Sequence, residues 1–391
     1  MASRSRTSRD GRPGPVRWLR RRALPMIGRL AALAGVLLLA AWLTGRIWTD
    51  EHLWSQFLWW LPTPLVAAGV LVAVLVSAAC EFVGLRLAGA RLRPLLVLSL
   101  IALVAWWAVF ETKFFPASPQ ATGGPEFSIG YWNLSWAEGS GEAGGPGFAA
   151  DVLIAANPRP SAGRQELSAA LLERQRDAGF VGGEEAVHTV NLLGSTVVSR
   201  LPLIEHGVAK PDLDLSAWTA KRNGAFQNGI AYVIVDATEL VGRPVCIWII
   251  DAPSDPLMPR TPVMRSISDA AVGWPGPGRV PDELGRWIDR AEPRRGFPAA
   301  DFIVGDFNAT RASASLDALT PGMTESHTVA GRGSGRTFPG ILPLWAIDLA
   351  FASDDWAWTS SRSLSVTGPH EAIVVRAAIR EAVQKEKEPT E

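Results

Sequence analysis

The chain has 391 residues, with 38 basic and 38 acidic side chains, so its formal net charge at pH 7 is zero. A balanced charge argues against a broad basic surface for nucleic acid, and two cysteines are too few for a disulfide scaffold. Five histidines without paired spacing argue against a dedicated zinc site.

The first part of the chain contains three apolar runs, which we predict to be membrane helices. They cover about Leu24–Gly45, Leu58–Cys80 and Leu95–Phe110. A span needs about 20 apolar residues, and the third run reaches about that length when Lys113 snorkels to the interface. A cleaved signal peptide is the alternative for the first run, but its apolar core is longer than usual and no small-residue cleavage site follows it.

The distribution of arginine predicts the orientation of these helices. Arginines crowd the first 22 residues, and residues 81–94 carry three more, whereas the segment 46–57 carries one arginine and two acids. Positively charged loops stay in the cytoplasm, so three crossings place everything after residue 115 outside. We therefore predict a multi-pass protein of a bacterial inner (plasma) membrane with an extracytoplasmic soluble domain.

Composition changes at residues 116–126, a linker rich in Pro and Gly. We predict a cytoplasmic basic tail at 1–23, membrane helices at 24–115, this linker, a soluble domain at 127–380 and a disordered tail at 381–391. Cys80 falls in an apolar run and Cys246 in the soluble domain. We therefore expect no disulfide between them.

Short apolar or alternating runs bounded by turn residues predict strands in the soluble domain. Helical patterns cover Arg164–Ala178, Pro281–Ala291 and, more weakly, 314–319, while the Pro- and Gly-rich residues 254–280 are predicted to be a long loop. Many strands with few helices favour an α/β fold of two packed sheets with helices outside. The predicted strands are Phe127–Leu134, Asp151–Ala156, Ser195–Ser199, Gly229–Val235, Val245–Asp251, Phe302–Gly305, Ile347–Ala352 and Ile373–Ala378.

The segment Phe302–Thr310 places an acid and an amide directly after an apolar strand. Asp306 and Asn308 are two residues apart, so their side chains project to one side. A carboxylate there can accept a proton from an attacking water, and an amide can donate to a phosphate oxygen. Because Asp and Asn also favour turns, an ordinary strand-end turn is the alternative.

Three further polar residues stand at predicted strand ends. Asn133 closes the first strand, Asp348 opens an apolar strand, and His370 precedes the last one. Taken singly, Asp348 could be a strand-start turn residue and His370 a partly exposed loop histidine. A carboxylate beside an imidazole fixes its tautomer and favours its cation, which can contact a phosphate.

The order and spacing of these motifs, together with Thr337-Phe338-Pro339, resemble the endonuclease/exonuclease/phosphatase superfamily from about Phe127 to Ile379. With three leading membrane spans, the chain looks like the bacterial membrane-anchored branch, some members of which are linked to glycopeptide resistance. The resemblance implies a four-layered α/β/β/α sandwich, with two mixed sheets and outer helices, preceded by three transmembrane helices.

The resemblance also implies a role for each of these residues. Asp306 would activate water and Asn308 would orient the phosphate, while Asn133 would bind substrate. Asp348 would pair with His370. The implied cofactor is Mg²⁺ or Mn²⁺.

Three positions depart from the pattern of the superfamily. Asn157 stands where a metal-binding Glu is expected, Pro369 replaces an acid in the final motif, and Asp251 stands where a histidine is expected. An amide oxygen can coordinate a hard cation but adds no charge. We therefore regard Asn157 as a weak metal ligand, and Asp251 as a substitute carboxylate or a hairpin-end turn residue.

These features predict a metal-dependent phosphoester hydrolase that acts on a small or lipid-linked phosphate at the membrane, with no nucleic acid partner. Because phosphoryl transfer relies on charge stabilisation by metal ions and cations, we expect weak, altered or absent hydrolysis. The alternative is a catalytically impaired pseudoenzyme that binds a ligand or partner through the same cleft.

Overall fold

The computed structural model describes residues 23–82, 92–114, 124–135, 148–158, 163–177, 179, 187–192, 194–213, 229–276, 279–281, 287–289, 296–366 and 368–380. The chain divides into two compact units. One comprises Met1–Ile47 with Leu61–Phe110, and the other comprises Trp48–Trp60 with Glu111–Glu391. Residues 1–22 of the predicted basic tail (1–23) and the predicted tail at 381–391 lie outside the described residues.

The first unit is built from apolar helices. Helix α1 (Leu24–Trp48), α3 (Thr63–Phe82) and α4 (Arg93–Trp106, continued by a π-helical turn at Trp107–Glu111) are long and apolar enough to cross a membrane. The three predicted membrane helices are thus confirmed as helices. The second begins at Thr63 rather than Leu58, because a separate short helix, α2 (Leu53–Trp59), ends before Pro62.

The second unit contains two mixed sheets of six strands each among the described residues. Four of these twelve strands were not predicted, and the other eight agree with the prediction to within one residue at each end. In the first sheet the order is β13 (Trp356–Leu364), β14 (Ala372–Ile379), β1 (Glu126–Asn133), β2 (Val152–Ala156), β4 (Ser195–Ser199), β3 (His188–Leu192). In the second it is β11 (Thr324–Glu325), β12 (Asp348–Ala352), β10 (Phe302–Asp306), β7 (Val245–Asp251), β6 (Gly229–Val235), β5 (Leu203–Ala209).

The two sheets pack face to face. Inward side chains of both sheets, among them Phe127, Ile154, Ile247 and Phe302, form one buried cluster. The outer face of the first sheet is covered by α5 (Gly163–Asp177), and these helical residues agree with the prediction. Burial of both sheet faces explains why the central strands are apolar throughout. The expected α/β sandwich of two mixed sheets with outer helices is confirmed.

Residues 254–280, predicted to be a long loop, contain a helix instead, so that prediction is wrong. Helix α7 (Arg260–Val272) places Val263, Met264, Ile267 and Ala271 on one side, and all four are buried against the outer face of the second sheet. Apolar residues at these spacings form one helical face. The flanking Pro and Gly residues favoured the prediction of a loop over this helical pattern.

The predicted helix Pro281–Ala291 is also wrong where the chain is described. Two short strands, β8 (Arg279–Pro281) and β9 (Trp287–Asp289), pair antiparallel there. Val280 lies opposite Ile288. Val and Ile prefer strands, and this preference opposes the helix-start signal of Pro, Asp and Glu. The remaining short elements are a helix α6 (Thr238–Val241), a 3₁₀ turn at Ala314–Ala318 where a helix was predicted, and a helix α8 (Ser326–Ala330).

Candidate active site

Polar residues gather where adjacent central strands of the second sheet end. Asp306 lies in register with Asp251 on the parallel strand β7 and with Asp348 on the antiparallel strand β12. On the first sheet, Asn133 closes β1 and Asn157 follows β2, its parallel neighbour. Because neighbouring strands are only about 4.8 Å apart, these ends bring three carboxylates and two amides to one edge of the sandwich.

Gly305 allows this close approach of β10 and β7. A Cβ atom at Gly305 would overlap the backbone of Ile250, including its carbonyl oxygen. Only glycine avoids that overlap, so the residue before Asp306 is fixed by backbone packing. The glycine in the motif therefore has a structural explanation that is independent of chemistry.

Asp306 is the centre of the hydrogen-bond network and is 2% exposed. Its Oδ2 accepts from Nδ2 of Asn133 at 2.8 Å, and its Oδ1 accepts from the amide of Asn308 at 2.8 Å. The Asp306 amide in turn donates to the hydroxyl of Tyr131 at 2.9 Å. Asn133 and Tyr131 belong to the first sheet, so these bonds join the two sheets at the cleft.

Asn308 is held in a strained backbone conformation that asparagine tolerates. Its φ is +46°, in the left-handed region. Its Nδ2 donates to the Ala252 carbonyl at 2.8 Å, and the Ala252 amide donates to the Asp306 carbonyl at 2.8 Å. The loop that follows β7 therefore fixes the direction of the Asn308 amide.

Asp348 and His370 form a buried pair. Oδ2 of Asp348 lies 2.8 Å from Nδ1 of His370. The imidazole also packs against the Phe338 ring, with ring centroids 4.9 Å apart. Since a carboxylate at Nδ1 holds the proton on that nitrogen, the pair fixes the tautomer and the orientation of the imidazole.

Burial and crowding of carboxylates shift the pKa values in this cleft. Burial, and then repulsion from Asp348, raises the pKa of Asp306 to about 8. Burial raises the pKa of Asp251 to about 7. Burial lowers the pKa of His370, but attraction to Asp348 and their hydrogen bond outweigh it and raise that pKa to about 9. Near pH 8 the cleft can thus pair an ionised Asp306 with a cationic His370.

Asn157 uses its amide as a hydrogen-bond donor. Its Nδ2 donates to Oδ1 of Asn133 and to Oδ1 of Asp251, both at 3.2 Å. This orientation satisfies two buried acceptors, whereas the reversed amide would place oxygen against oxygen. The residue that stands in place of the expected glutamate therefore presents nitrogen rather than oxygen to its neighbours.

The carboxylates of the cleft fit a hard cation better than Asn157 does. Asp306, Asp348 and His370 each offer a ligand atom, and these atoms lie within 4.8 Å of one another. Oδ1 of Asp348 is buried and has no hydrogen-bond partner among the described residues. A cation would also relieve the repulsion that raises the pKa of Asp306. An acidic group that could hold a metal ion is therefore present, with Asp306 and Asp348 as its charged members.

The predicted site residues thus lie in one cleft. Hydrogen bonds or strand register connect Asn133, Asn157, Asp251, Asp306, Asn308 and Asp348, and His370 joins them through Asp348. Their individual roles stay predictions. The sequence reasoning missed Tyr131 and the contact of Phe338 with His370. A tyrosine two residues before Asn133 on the same strand face was the available signal for the first.

The pKa shifts predict that the metal-free protein loses stability as the pH rises from about 6.5 to 9. His370 has a folded pKa of about 9, so its contribution is complete below its ordinary value of 6.5 and is lost as pH rises through 9. Asp306 has a folded pKa of about 8 against an ordinary 3.8, so its contribution falls as the pH rises above 3.8 and is lost by about 8, with the same sign. Thermal unfolding of the full-length protein in detergent with EDTA checks this. A shallower slope is expected for His370→Gln, and an unfolding temperature that rises over this range contradicts the shifts.

No family model matches the chain, and no curated protein matches it. Solved structures do match. An endonuclease/exonuclease/phosphatase from Beutenbergia cavernae is 16% identical over 66% of this chain and 72% of its own, with a TM-score of 0.38. An inositol polyphosphate 5-phosphatase domain of a synaptojanin, solved with inositol (1,4)-bisphosphate and calcium ion, is 12% identical over 65% of this chain and 84% of its own, with a TM-score of 0.37. A functionally unknown conserved protein from Enterococcus faecalis is 12% identical over 64% of this chain and 99% of its own, with a TM-score of 0.41.

The first of these proteins bears the family name that the sequence motifs suggested. The class of the fold follows from the chain itself, through its two packed six-stranded sheets and outer helices.

Proposed function

We propose that the protein is a membrane-anchored phosphoester hydrolase of the endonuclease/exonuclease/phosphatase type, acting outside the cytoplasm on a small or lipid-linked phosphate. The observation that supports this most is the joining of an Asp-x-Asn motif to a buried Asp–His pair across one cleft. Strand register places Asp306 beside Asp348, and Asp348 bonds to His370. A strand-end turn accounts for the bond from the Asn308 backbone amide, but it does not require a buried carboxylate that also accepts from Asn133 of the other sheet.

In the proposed reaction a water molecule attacks phosphorus and the ester bond to the leaving group breaks. Asp306 receives the proton of the attacking water, and burial, which raises its pKa to about 8 in the metal-free protein, makes it a stronger base than an exposed carboxylate. Asn133 and Asn308 orient the phosphate. His370, held cationic by Asp348, contacts the phosphate oxygens.

We propose Mg²⁺ or Mn²⁺ as the cofactor, held by the carboxylates of Asp306 and Asp348. A bound ion of this kind would neutralise charge on the phosphoryl oxygens. Asn157 contributes no charge to it, and Asp251 lies near enough to Asn157 to accept a hydrogen bond at 3.2 Å. Weak binding of the ion is therefore expected.

We further propose that the protein resides in a bacterial inner membrane with the cleft on the extracytoplasmic side. The arginine-rich N-terminus supports this orientation. The grouping of Trp48–Trp60 with Glu111–Glu391 in one compact unit is compatible with three crossings, since both then lie on the same side. An alkaline phosphatase reporter fused after Glu391 should be active in cells. Activity at the same position of a second reporter, of a kind that works only in the cytoplasm, would contradict the orientation.

A pseudoenzyme is the second candidate, and the orientation of Asn157 favours it. Its amide donates to Asn133 and Asp251, so the buried oxygens in this part of the cleft have hydrogen-bond partners without a cation. Such a protein would retain ligand binding and lack turnover.

Phosphate release by the full-length protein in detergent distinguishes these candidates. The substrates are p-nitrophenyl phosphate, a lipid pyrophosphate and a short nucleic acid, each with and without Mg²⁺ or Mn²⁺. Release from the first two, lost in His370→Gln, supports the hydrolase. No release from any substrate, combined with binding of inorganic phosphate that His370→Gln weakens, supports the pseudoenzyme.

A further inference from the structure

The segment Trp48–Trp60, here called the linking segment, joins α1 to α3 in sequence but belongs to the same compact unit as the soluble domain. It contacts three stretches of that domain, and each adjoins a strand that carries a cleft residue. These are residues 256–260 after Asp251, residues 313–315 after Asn308, and Trp345 before Asp348. The segment therefore lies behind the active-site edge of the second sheet.

Gln56 makes the most complete of these contacts and is fully buried. Its Nε2 donates to the Pro256 carbonyl at 2.9 Å and to the Met258 carbonyl at 3.3 Å. Its Oε1 accepts from the Arg260 amide at 3.1 Å. That amide is the first of α7 and has no partner within the helix. One side chain from the linking segment thus satisfies three backbone groups of a single loop.

The Arg260 side chain also contacts this loop. Its guanidinium is 1% exposed and donates to the carbonyls of Pro253 and Asp255, while the Trp60 ring of the linking segment lies 5.4 Å from it. Burial lowers the pKa of Arg260 to about 10, so the side chain stays cationic near neutral pH. A buried cation is stabilised by such carbonyl and ring contacts. The loop conformation therefore depends on residues of the linking segment at two points.

This loop begins at the cleft. Ala252, its first residue after Asp251, accepts the Asn308 side-chain amide and donates to the Asp306 carbonyl. Displacement of residues 253–260 would therefore be transmitted to the Ala252 carbonyl and to the direction of Asn308. Small misplacements of an orienting group have large effects on rate.

Further bonds fix the linking segment itself. Asp50, which is 1% exposed, accepts from the Ser315 amide at 3.1 Å and from the Ser315 hydroxyl at 2.5 Å. Trp59 Nε1 donates to the Ser313 hydroxyl at 2.9 Å, and Trp345 Nε1 donates to the Trp60 carbonyl at 2.9 Å. Contacts at both ends hold Gln56 in place, as expected for a built-in part of the domain rather than a free connector.

We propose that the linking segment is an integral part of the active-site wall and that Gln56 is a positioning residue, acting on Asn308 through the loop 252–260. The effect on turnover rests on the proposed hydrolase function, whereas the effect on the loop does not.

The test uses the full-length protein in detergent and three variants. Gln56→Leu removes both the donor and the acceptor. Gln56→Glu, when ionised, sets a carboxylate oxygen against the Pro256 and Met258 carbonyls. When protonated, its carboxyl can again donate to one of these carbonyls and accept from the Arg260 amide. Glu51→Gln is the matched control, because Glu51 is exposed in the same segment.

Hydrogen exchange of amides 252–264 measures the loop directly. Gln56→Leu should exchange these amides at least about tenfold faster than the wild type, because the loop loses its buried partners. Glu51→Gln should exchange at the wild-type rate. Unchanged exchange in Gln56→Leu would overturn the proposal, whether or not the protein hydrolyses anything.

Turnover measures the positioning role. Gln56→Leu should lower kcat/KM by about 10- to 100-fold at every pH. Gln56→Glu should approach wild-type kcat/KM as the pH falls, a recovery that a merely destabilised protein would not show. Faster exchange with unchanged kcat/KM would refute the positioning role. If the wild type releases no phosphate, the hydrolase function is refuted. Faster exchange in Gln56→Leu would in that case still support the anchoring of the loop by Gln56. If Gln56→Leu does not fold, Gln56→Glu at low and high pH provides the same comparison.

Discussion

Replacement of Asp306 by Asn is expected to lower kcat for phosphate release by about 10²- to 10⁴-fold, the usual contribution of a general base. The amide cannot take the proton of the attacking water. The acid limb of the pH–rate profile, which the ionisation of Asp306 sets in the wild type, should also disappear; a bound cation moves this limb below the metal-free Asp306 pKa of about 8. Initial rates with p-nitrophenyl phosphate from pH 6 to 9, roughly the range that spans both shifted groups, measure both effects.

The fold should tolerate this change. Asp306 is surrounded by the carboxylates of Asp251 and Asp348, and their repulsion contributes to its raised pKa. A neutral amide removes that repulsion but keeps only one of the two oxygens that now accept from Asn133 and Asn308, so one of these hydrogen bonds is lost. Because the two effects oppose each other, the unfolding temperature is expected to stay near that of the wild type, which separates lost chemistry from lost structure.

Asp317→Asn is the matched control, since Asp317 is an exposed acid in the 3₁₀ turn that follows the motif. It should leave kcat and the pH profile unchanged. If Asp306→Asn retained the wild-type kcat, Asp306 would not be the base, and the proposed mechanism would fail at its central residue.

The central strands could be predicted because both of their faces are buried. β2 is apolar from end to end, and β7 and β10 are apolar up to the aspartate that ends each of them; the structure buries all of their residues except Trp248, which is half-buried. In the two six-stranded sheets, the strands that the sequence did not reveal are β3, β5, β11 and β13, and all four lie at sheet edges. The exposed residues of β3 and β13 are polar, whereas β5 exposes Ile204 and Val208, so local pattern does not distinguish these strands. Their pairing is decided by distant neighbours.

Residue identity and order predicted the members of the cleft, but not the contacts between them. That Asn157 would donate to both Asn133 and Asp251 depends on the approach of three separate strands. The hydrogen bond of Gln56 with Pro256 joins residues 200 positions apart, and no periodicity in either segment predicts it. Local sequence rules describe elements, whereas such contacts arise only when the elements pack.

Replacement of Asn157 by Asp is expected to make the stability of the protein depend on metal. The new carboxylate would stand where Nδ2 now donates to Asn133 and Asp251, each at 3.2 Å. Two hydrogen bonds become oxygen–oxygen repulsion in a buried site, so the unfolding temperature in EDTA should fall. Mg²⁺ or Mn²⁺ relieves that repulsion, so binding should tighten by at least about tenfold, and the ion should restore stability.

Aspartate is the informative substitution at this position. Asn157 has a φ of +50°, which asparagine and aspartate tolerate, whereas the glutamate expected from the superfamily would be strained there by about 1–2 kcal/mol. Asn191→Asp is the control, because Asn191 is exposed on β3, and its Oδ1 accepts from Thr196, as a carboxylate also can. It should show no metal-dependent change in unfolding temperature.

Calorimetry and phosphate release on the same full-length samples then distinguish the two candidate functions. Tighter metal binding accompanied by faster hydrolysis in Asn157→Asp would mean that the asparagine limits an otherwise competent cleft, and a silent wild type would then be a pseudoenzyme. Tighter binding without hydrolysis would place the deficiency elsewhere, with Pro369 beside His370 as the next position to examine. Binding no tighter than that of the wild type would contradict a cation held among these carboxylates, because an added buried charge at Asn157 must strengthen any such site.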